Sequence, residues 1–146
     1  MDDAPSRMTE ETVAETGELT ELGRDECLRL VAGGVVGRVV FTEAALPAAH
    51  PVAYLLDGGE VVFRTANGGK LAAATLHHVV AFQVDEVDPA GRTGWSVLGV
   101  GEAYEVTDAR RLADLAARMP APWAANQDSH TIAIPLQRLT GRVVGP

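Results

Sequence analysis

Residue types that bind phosphate surround a glycine-rich turn near the middle of the chain. A β-branched and aromatic run ends at Arg64, and a helical stretch begins at Lys70. Glycines between them let an anion approach the main chain, and the first turn of a helix carries unpaired N–H groups and a partial positive charge. With side-chain donors nearby, this pattern predicts a site for the phosphate of a small molecule. The residues of the predicted site are Arg64, Thr65, Asn67, Gly68, Gly69 and Lys70.

This turn matches neither of two familiar nucleotide-binding motifs. A P-loop requires glycine where this chain has Arg64, and Ser or Thr where it has Leu71. A dinucleotide fingerprint requires a third glycine after a pair such as Gly99 and Gly101, and this chain lacks it. A basic strand end followed by two glycines also occurs in proteins that bind nothing there, so a purely structural turn stays open as an alternative.

Composition and charge predict one soluble domain behind an acidic tail. The chain has 146 residues, 47% of them hydrophobic, which is enough for a single core. Of the net charge of −8, residues 1–18 carry six acidic side chains against Arg7, which leaves residues 19–146 near −3. We expect residues 1–18 to be a disordered tail and 19–146 to be one domain. Neither part offers a basic face for nucleic acid.

The expected compartment is the cytoplasm. No apolar run approaches the roughly 20 residues needed to cross a bilayer, and the N-terminal residues are acidic and polar, so we expect no membrane partner. Cys27 is the only cysteine, which excludes an internal disulfide and fits a reducing compartment. Its apolar neighbours predict a buried structural thiol without a chemical role.

The elements that must position the phosphate site are mostly strands. A hairpin turn is predicted at Asp57-Gly58-Gly59. A Pro- and Ala-containing loop is predicted between the strands 35–41 and 50–56, and a bulge or bend is predicted at Gly99 and Gly101. Strands joined by short turns predict a mainly β fold with helical decoration, an antiparallel barrel of about six strands. The predicted strands are 35–41, 50–56, 60–65, 79–84, 95–106, 131–134 and, as a further candidate, 141–144; the predicted helices are 23–32, 70–76 and 109–118.

Between Glu18 and Arg142, the order and spacing of these segments resemble the pyridoxamine 5'-phosphate oxidase-like FMN-binding split barrels. The segments that carry the resemblance are Gly23-Arg24-Asp25-Glu26-Cys27-Leu28-Arg29-Leu30, Val36-Gly37-Arg38-Val39, Val61-Val62-Phe63-Arg64-Thr65, Gly69-Lys70-Leu71, Arg92-Thr93-Gly94-Trp95-Ser96-Val97 and Thr140-Gly141-Arg142. The resemblance implies a split β-barrel and a homodimer that holds FMN in a groove between two barrels.

The resemblance also implies a role for particular residues. The phosphate would be held by Arg64, Thr65, Gly69 and Lys70, in agreement with the reasoning from residue types. The main chain of Pro51, Val52, Ala53 and Tyr54 would run along the isoalloxazine ring, where backbone groups serve whatever the side chains are. Trp95 and Ser96 would lie near the ring and the twofold axis, and Trp123 and His130 would approach the partner's flavin.

Each of these residues also has a plain structural interpretation. Packing alone explains Trp95 and Trp123, and His130, like His50, is more often a hydrogen-bonded neighbour than a catalyst. His77 and His78 are adjacent and are expected at the surface, without the spacing of a metal site.

The expected activity is electron transfer through FMN to an unidentified small molecule, with no catalytic side chain and no metal. True pyridoxamine phosphate oxidases carry further basic residues near the C-terminus, whereas this chain has Ala133 there, which argues against that substrate. Three alternatives stay open: a deazaflavin-coenzyme-dependent reductase, a flavin or haem carrier without turnover, and a barrel whose remaining role is dimerisation.

Overall fold

The computed structural model describes residues 19–65, 69–119 and 129–145. These residues form nine strands and three short helices. The strands are β1 Leu19–Leu22, β2 Val36–Glu43, β3 Leu46–Asp57, β4 Glu60–Thr65, β5 Val79–Asp88, β6 Thr93–Glu102, β7 Tyr104–Glu105, β8 His130–Pro135 and β9 Arg138–Val144. The helices are α1 Arg24–Ala32, α2 Lys70–Thr75 and α3 Ala109–Arg118.

The strands form one curled antiparallel sheet. Their order is β1-β9-β6-β5-β2-β3-β4-β8-β7, and every neighbouring pair is antiparallel. β3 belongs to both halves of the sheet, because residues 46–53 pair with β2 and residues 54–57 pair with β4. The predicted mainly β, antiparallel split-barrel class is therefore confirmed, with more strands than the expected six or so.

The loop predicted between the first two strands is wrong. β2 and β3 pair continuously from Val36↔Ala53 to Glu43↔Leu46, and only Ala44 and Ala45 turn between them. Both alanines have positive φ, 52° and 66°. This conformation costs about 1–2 kcal/mol for a residue with a side chain, and the long strand pairing offsets it. The segment contains alanine and proline and lacks the glycine of a usual hairpin, so its sequence indicates a loop and gives no sign of a tight turn.

The long strand predicted over 95–106 is also wrong. β6 ends at Glu102, and the chain then crosses to the other half of the sheet, where β7 pairs with β8. No bulge occurs at the glycines, since β5 and β6 keep one register throughout. Instead, a Cβ on Gly101 would lie 1.8 Å from the carbonyl oxygen of Pro135. The absent side chain thus lets β6 approach the end of β8, which closes the barrel.

The core lies inside the curled sheet and is sealed by α1. Phe63, Phe82 and Ile132 from three strands are fully or almost fully buried within it. Cys27 on α1 is 0% exposed, as predicted, and burial, with a contribution from nearby Glu26, raises the pKa of its thiol. It has no part in the site described below. None of the helices in the described ranges is long and apolar enough to span a membrane.

α3 lies on the outside of the β4–β8–β7 half and forms a second apolar cluster. Leu115 on the helix packs with Val62 and Ala133 of the sheet. Asp108 caps the start of this helix, because its carboxylate accepts a hydrogen bond from the N–H of Arg111 at 2.9 Å. The predicted hairpin is confirmed: Gly58 and Gly59 both have positive φ between β3 and β4.

Candidate functional site

A cavity of about 520 Å³ lies where β3 and β4 part, a size within the roughly 300–1,000 Å³ usual for small-molecule sites. Its walls come from β2, β3, the end of β4, the start of α2 and the residue that follows α3. The lining residues are Phe41, Glu43, His50, Pro51, Val52, Ala53, Arg64, Thr65, Gly69, Lys70, Leu71 and Met119.

One wall is the edge of β3 over the residues before Tyr54, where the strand is not paired with β4. The N–H of Tyr54 donates to the carbonyl oxygen of Val35 at 3.1 Å, so even-numbered residues of 46–54 direct their backbone groups towards β2. Odd-numbered residues therefore direct theirs towards the opposite edge. Pairing with β4 begins only at Tyr54, so the N–H of Ala53 and the carbonyl of Pro51 point to the side where the strands separate.

The prolines of β3 explain why this edge can exist. Pro47 and Pro51 both occupy odd-numbered positions, where an N–H would not reach β2 in any case. Proline is tolerated in a strand only at such positions, and it blocks pairing with an added strand. The sequence thus keeps part of the edge from accepting another strand and leaves carbonyl oxygens, together with the Ala53 N–H, available to a ligand.

The opposite wall carries two cations. Arg64 is half-buried at the end of β4, and Lys70 is exposed at the start of α2. Within the described ranges neither has an ion-pair partner. Four arginines are paired with carboxylates, Arg29, Arg38, Arg111 and Arg118. The other arginines of these ranges are also without an ion pair, but only Arg64 among them lines the cavity. Lys70 is also the only lysine in the chain, against eleven arginines. Two unneutralised cations beside an open cavity form an anion-binding corner.

The remaining walls are apolar. Phe41, Leu71 and Met119 line the cavity together with the buried side chain of Val52. A flat, largely apolar ring would find van der Waals contacts on these walls and hydrogen bonds on the β3 edge. The arrangement suits an aromatic heterocycle that carries an anionic group.

Most of the residues predicted from the sequence meet at this cavity. Those that line it are Pro51, Val52, Ala53, Arg64, Thr65, Gly69 and Lys70. The side chain of Tyr54 instead points into the core, where its hydroxyl donates to the carbonyl oxygen of Val31 at 2.6 Å. Burial raises the pKa of Tyr54 to about 12. Trp123, Asn67 and Gly68 lie outside the described residues.

Trp95 and Ser96 lie in another part of the chain. Trp95 is half-buried and lines a shallow groove with Glu86, Thr93 and Val143. Ser96 faces outward on β6, and its hydroxyl oxygen is 3.3 Å from Nε2 of Gln83. Neither residue lines the 520 Å³ cavity of the same chain.

His130 stands next to the cavity without lining it. It pairs with Thr65 across β4 and β8, and its Nδ1 lies 2.8 Å from Oε2 of Glu105. This arrangement agrees with the interpretation of His130 as a hydrogen-bonded neighbour. His77 and His78 are exposed, as predicted.

Several lining residues escaped the sequence reasoning. Glu43 lies beyond the predicted strand 35–41, and Phe41, although inside that strand, carries no phosphate-binding or flavin-contacting signal of its own. Met119 was missed because it was interpreted only as the end of a helix. Leu71 departs from the P-loop pattern and belongs to a segment that carries the resemblance, but neither observation assigns it a contact with a ligand. The alternation of side chains along the predicted strand, which puts Phe41 on the same face as Val39, is the signal that could place it on this wall.

Comparison with known proteins places the chain in a family. A family model described as pyridoxamine 5'-phosphate oxidase matches residues 23–143. The chain belongs to the pyridoxamine 5'-phosphate oxidase family. The match leaves out β1 and the last residue of β9 and includes the rest of the sheet. The family assignment therefore covers the whole cavity.

Mycobacterial proteins are among the similar members. The chain is 42% identical to the uncharacterized protein Rv0080 of Mycobacterium tuberculosis over 129 residues, which is 85% of this chain and 84% of the relative. An FAD binding protein from Mycobacterium smegmatis has a similar structure, with a TM-score of 0.73, 31% identity and coverage of 87% of this chain and 98% of that chain. An FAD and haem binding protein from the same organism shares the fold, with a TM-score of 0.69, 12% identity and coverage of 86% and 73%.

Proposed function

We propose that this member of the pyridoxamine 5'-phosphate oxidase family binds a flavin nucleotide in the 520 Å³ cavity and acts as a flavin-dependent oxidoreductase on a small molecule. FMN, or the identical half of a larger flavin, is the group proposed for this cavity. The observation that carries the proposal is the meeting of an open strand edge with two cations that have no ion-pair partner among the described residues. The FAD binding protein of M. smegmatis, 31% identical, supports the choice of a flavin.

The phosphate would lie between Arg64 and Lys70. A guanidinium presents a planar fork to phosphate and an ammonium acts as a point charge, so the two side chains complement each other. Thr65 and Gly69, which also line this corner, would add a hydroxyl and a close backbone approach.

The polar edge of the ring would lie along residues 51–53 of β3. The N–H of Ala53 would donate to a ring acceptor, and the carbonyl of Pro51 would accept from a ring donor. Val52, Phe41 and Leu71 would cover apolar parts of the ring and exclude water. When bound, a flavin supplies hydride and electron transfer itself, so the protein's contribution is binding, orientation and exclusion of water. No acid or base among the side chains is needed.

The proposal includes a homodimer. The outward face of β2, β5 and β6 carries exposed apolar side chains, among them Val36, Val79 and Leu98 at 48%, 69% and 42% exposure. Arg38, Gln83 and Asp85 lie on the same face between these apolar side chains, so the surface is mixed and not a continuous apolar patch. The resemblance of this chain to homodimeric split barrels supports the dimer, in which a second copy would cover this face and would offer a route for Trp95 or Ser96 of one chain to approach the cavity of the other.

Equilibrium titration of the purified chain with FMN tests the cofactor. We expect saturable quenching of flavin fluorescence at one FMN per chain. A chain that leaves FMN and FAD fluorescence unchanged, or that takes up a deazaflavin coenzyme instead, would overturn the flavin proposal. Turnover is tested separately by supplying the FMN complex with a reduced nicotinamide donor and following reduction of an artificial acceptor; no reduction would remove the oxidoreductase part and leave a flavin carrier.

Sedimentation velocity tests the dimer. We expect the full chain to sediment as a dimer and Leu98→Asp to shift it to monomer, because a carboxylate would be desolvated in the contact. The exposed Ala113→Asp on α3 is the control and should leave the dimer intact. A monomeric wild type, or a dimer unaffected by Leu98→Asp, would contradict this part of the proposal.

A further inference from the structure

Lys70 places the only side-chain amine of this chain between two cavities. The chain has one lysine and eleven arginines, and this lysine is exposed. Lys70 lines the 520 Å³ cavity together with Arg64, and it also lines a groove of about 330 Å³ between the β2–β3 turn and α2. The amine therefore stands where the anion-binding corner meets a second, smaller space.

The two cations of the corner differ in chemistry. The Arg64 guanidinium stays protonated and binds phosphate as a planar fork, whereas an amine such as that of Lys70 can lose its proton and attack a carbonyl carbon. Neither side chain forms an ion pair with a carboxylate of residues 19–65, 69–119 or 129–145. An anionic reagent held at Arg64 would thus bring its reactive carbon to a nucleophile.

The charges on the walls direct the two ends of such a reagent. Arg64 lines only the larger cavity, whereas the carboxylate of Glu43 lines both spaces. Like charges repel, so a phosphate is favoured beside Arg64 and disfavoured in the groove. The groove is therefore left for an uncharged group.

The floor of the groove suits a short apolar chain. Ala73 and Ala74 follow Lys70 at helical spacings of three and four, so the three residues share one face of α2. Their small side chains leave room beside the lysine, and Thr42 and His78 supply the rest of the lining outside the turn.

We infer that Lys70 is a modification site that takes an acyl group from an acyl phosphate, the mixed anhydride of a carboxylic acid and phosphoric acid. Arg64 holds the phosphate, the acyl chain lies over Ala73 and Ala74, and the unprotonated amine attacks the acyl carbon. A C–N bond forms and the bond from the acyl carbon to the phosphate oxygen breaks. Inorganic phosphate leaves with the electron pair of that bond, and the nitrogen gives its proton to water.

Acylation would regulate the site proposed for the flavin. The amide product is uncharged, so Arg64 would remain as the only cation at the corner. This regulatory effect rests on the proposed function, whereas the acylation itself requires no flavin.

The test follows acetylation of the full chain by acetyl phosphate, with peptide mass spectrometry as the readout and the α-amine as internal reference. The rate at Lys70 should saturate with acetyl phosphate and fall in the presence of inorganic phosphate, while the rate at the α-amine does neither. Arg64→Met should slow the reaction of Lys70 about tenfold, because one charge-assisted contact is lost. Arg110→Met, at an exposed position of α3, should behave as wild type.

An uncharged reagent separates recognition from reactivity. The N-hydroxysuccinimide ester of acetic acid carries no phosphate, so Arg64→Met should change its rate with Lys70 by less than about threefold. Equal slowing with both reagents would overturn the inference. A wild-type rate that rises linearly with acetyl phosphate and ignores inorganic phosphate would also overturn it.

Butyryl phosphate tests the groove. Ala73→Gln places a bulky uncharged side chain on the floor and should slow butyrylation of Lys70 about fivefold or more. Ala113→Gln, the same change at an exposed position of α3, should leave the rate unchanged. Equal rates in the two variants would overturn the placement of the acyl chain.

Flavin binding tests the regulatory effect separately. Lys70→Gln lacks the charge, as an acylated lysine does, and should lower FMN affinity about tenfold while riboflavin affinity stays unchanged. Unchanged FMN affinity in this variant would overturn the regulation and leave the acylation standing. Failure of wild type to bind any flavin would overturn the proposed function, and saturable acetylation of Lys70 would still support the modification site.

Discussion

The hydroxyl of Tyr54 donates a 2.6 Å hydrogen bond to the carbonyl oxygen of Val31, which joins β3 to the end of α1. The ring of Tyr54 also packs edge-on against Phe82, with centroids 4.7 Å apart. Because side chains alternate along a strand, fixing Tyr54 inside the barrel places Ala53 on the cavity side. A core contact thereby sets the orientation of the wall that is proposed to meet the flavin.

Tyr54→Phe should destabilise the fold slightly at neutral pH. The carbonyl of Val31 keeps a second donor, the N–H of Gly34 at 3.1 Å, so the expected loss is only about 0.5–1.5 kcal/mol in urea denaturation. A loss above about 4 kcal/mol would contradict this account of the contact.

Tyr54→Phe should also change how the free energy of unfolding depends on pH. Burial raises the pKa of Tyr54 to about 12 in the folded state from about 10 in the unfolded chain, so the unfolded state releases its proton first as pH rises. Wild type should therefore lose up to roughly 3 kcal/mol between pH 10 and 12 through this group. Tyr54→Phe lacks that loss, so the stability difference between the two proteins should shrink and then reverse. A constant difference across this range would contradict the prediction.

Gly101→Ala should weaken barrel closure. The added Cβ would lie 1.8 Å from a main-chain oxygen of Pro135, and backbone must move to relieve the overlap. We expect a loss of at least about 2 kcal/mol in thermal or urea unfolding. The control is Gly33→Ala, where φ is −85° and the nearest atom is 3.7 Å away, so stability should stay equal or rise slightly. Similar losses in both variants would contradict closure at Gly101.

Arg111→Met should loosen α3 from the β3–β4 hairpin. The guanidinium contacts Asp57 at 3.1 Å, Glu60 at 2.8 Å and the hydroxyl of Tyr104 at 2.7 Å. Burial alone would lower the pKa of Arg111, but its hydrogen bonds to Glu60 and Tyr104 raise it above the ordinary value. Removing it leaves Asp57 with Arg118 as its remaining cation and Glu60 with only the Tyr104 hydroxyl, at an expected cost of about 1–3 kcal/mol.

Two other variants distinguish this contact from a general effect of charge. Arg111→Lys should recover only part of the loss, because an ammonium lacks the planar fork. Arg110→Met on the exposed side of the same helix should cost about 0.5 kcal/mol or less. If Arg110→Met and Arg111→Met lowered the free energy of unfolding equally, a specific role for the contacts of Arg111 with Asp57 and Glu60 would be refuted.

Lys70 offers a chemical probe of the cavity. As the only lysine, it is the one side-chain amine that an amine-reactive reagent can modify, and the chain's α-amine serves as an internal reference. With FMN at about ten times its Kd, labelling of Lys70 should slow about tenfold by mass spectrometry while the α-amine rate stays unchanged. Equal slowing of both sites, or of neither, would place the ligand elsewhere.

Local signals in the sequence predicted much of the cavity. Arg64 and Lys70 were found because cations flank glycine at a strand-to-helix turn, and residues 51–53 because the resemblance assigns a role to backbone. Each of these predictions depends on the residues of one short segment and needs no knowledge of which distant segments meet. The hairpin at Gly58 and Gly59 was predictable for the same reason.

What the sequence could not supply depends on contacts between distant segments. Pro135 lies against Gly101 only after the sheet has curled, so the local sequence predicts a bulge or bend at this glycine and gives no sign of the contact. Ala44 and Ala45 adopt a turn that their side chains disfavour, because pairing along β2 and β3 outweighs the local cost. The pairing of Arg111 with Asp57 and Glu60 joins residues more than 50 positions apart and has no local signature.

The most direct test of the phosphate corner compares FMN with riboflavin, which lacks only the phosphate. Two charge-assisted contacts predict that wild type prefers FMN over riboflavin by at least about a hundredfold. In the double variant Arg64→Met, Lys70→Met the preference should fall below about threefold while riboflavin affinity is retained, and Arg110→Met should behave as wild type. A double variant that keeps the full preference for FMN would contradict the central claim that Arg64 and Lys70 hold the phosphate.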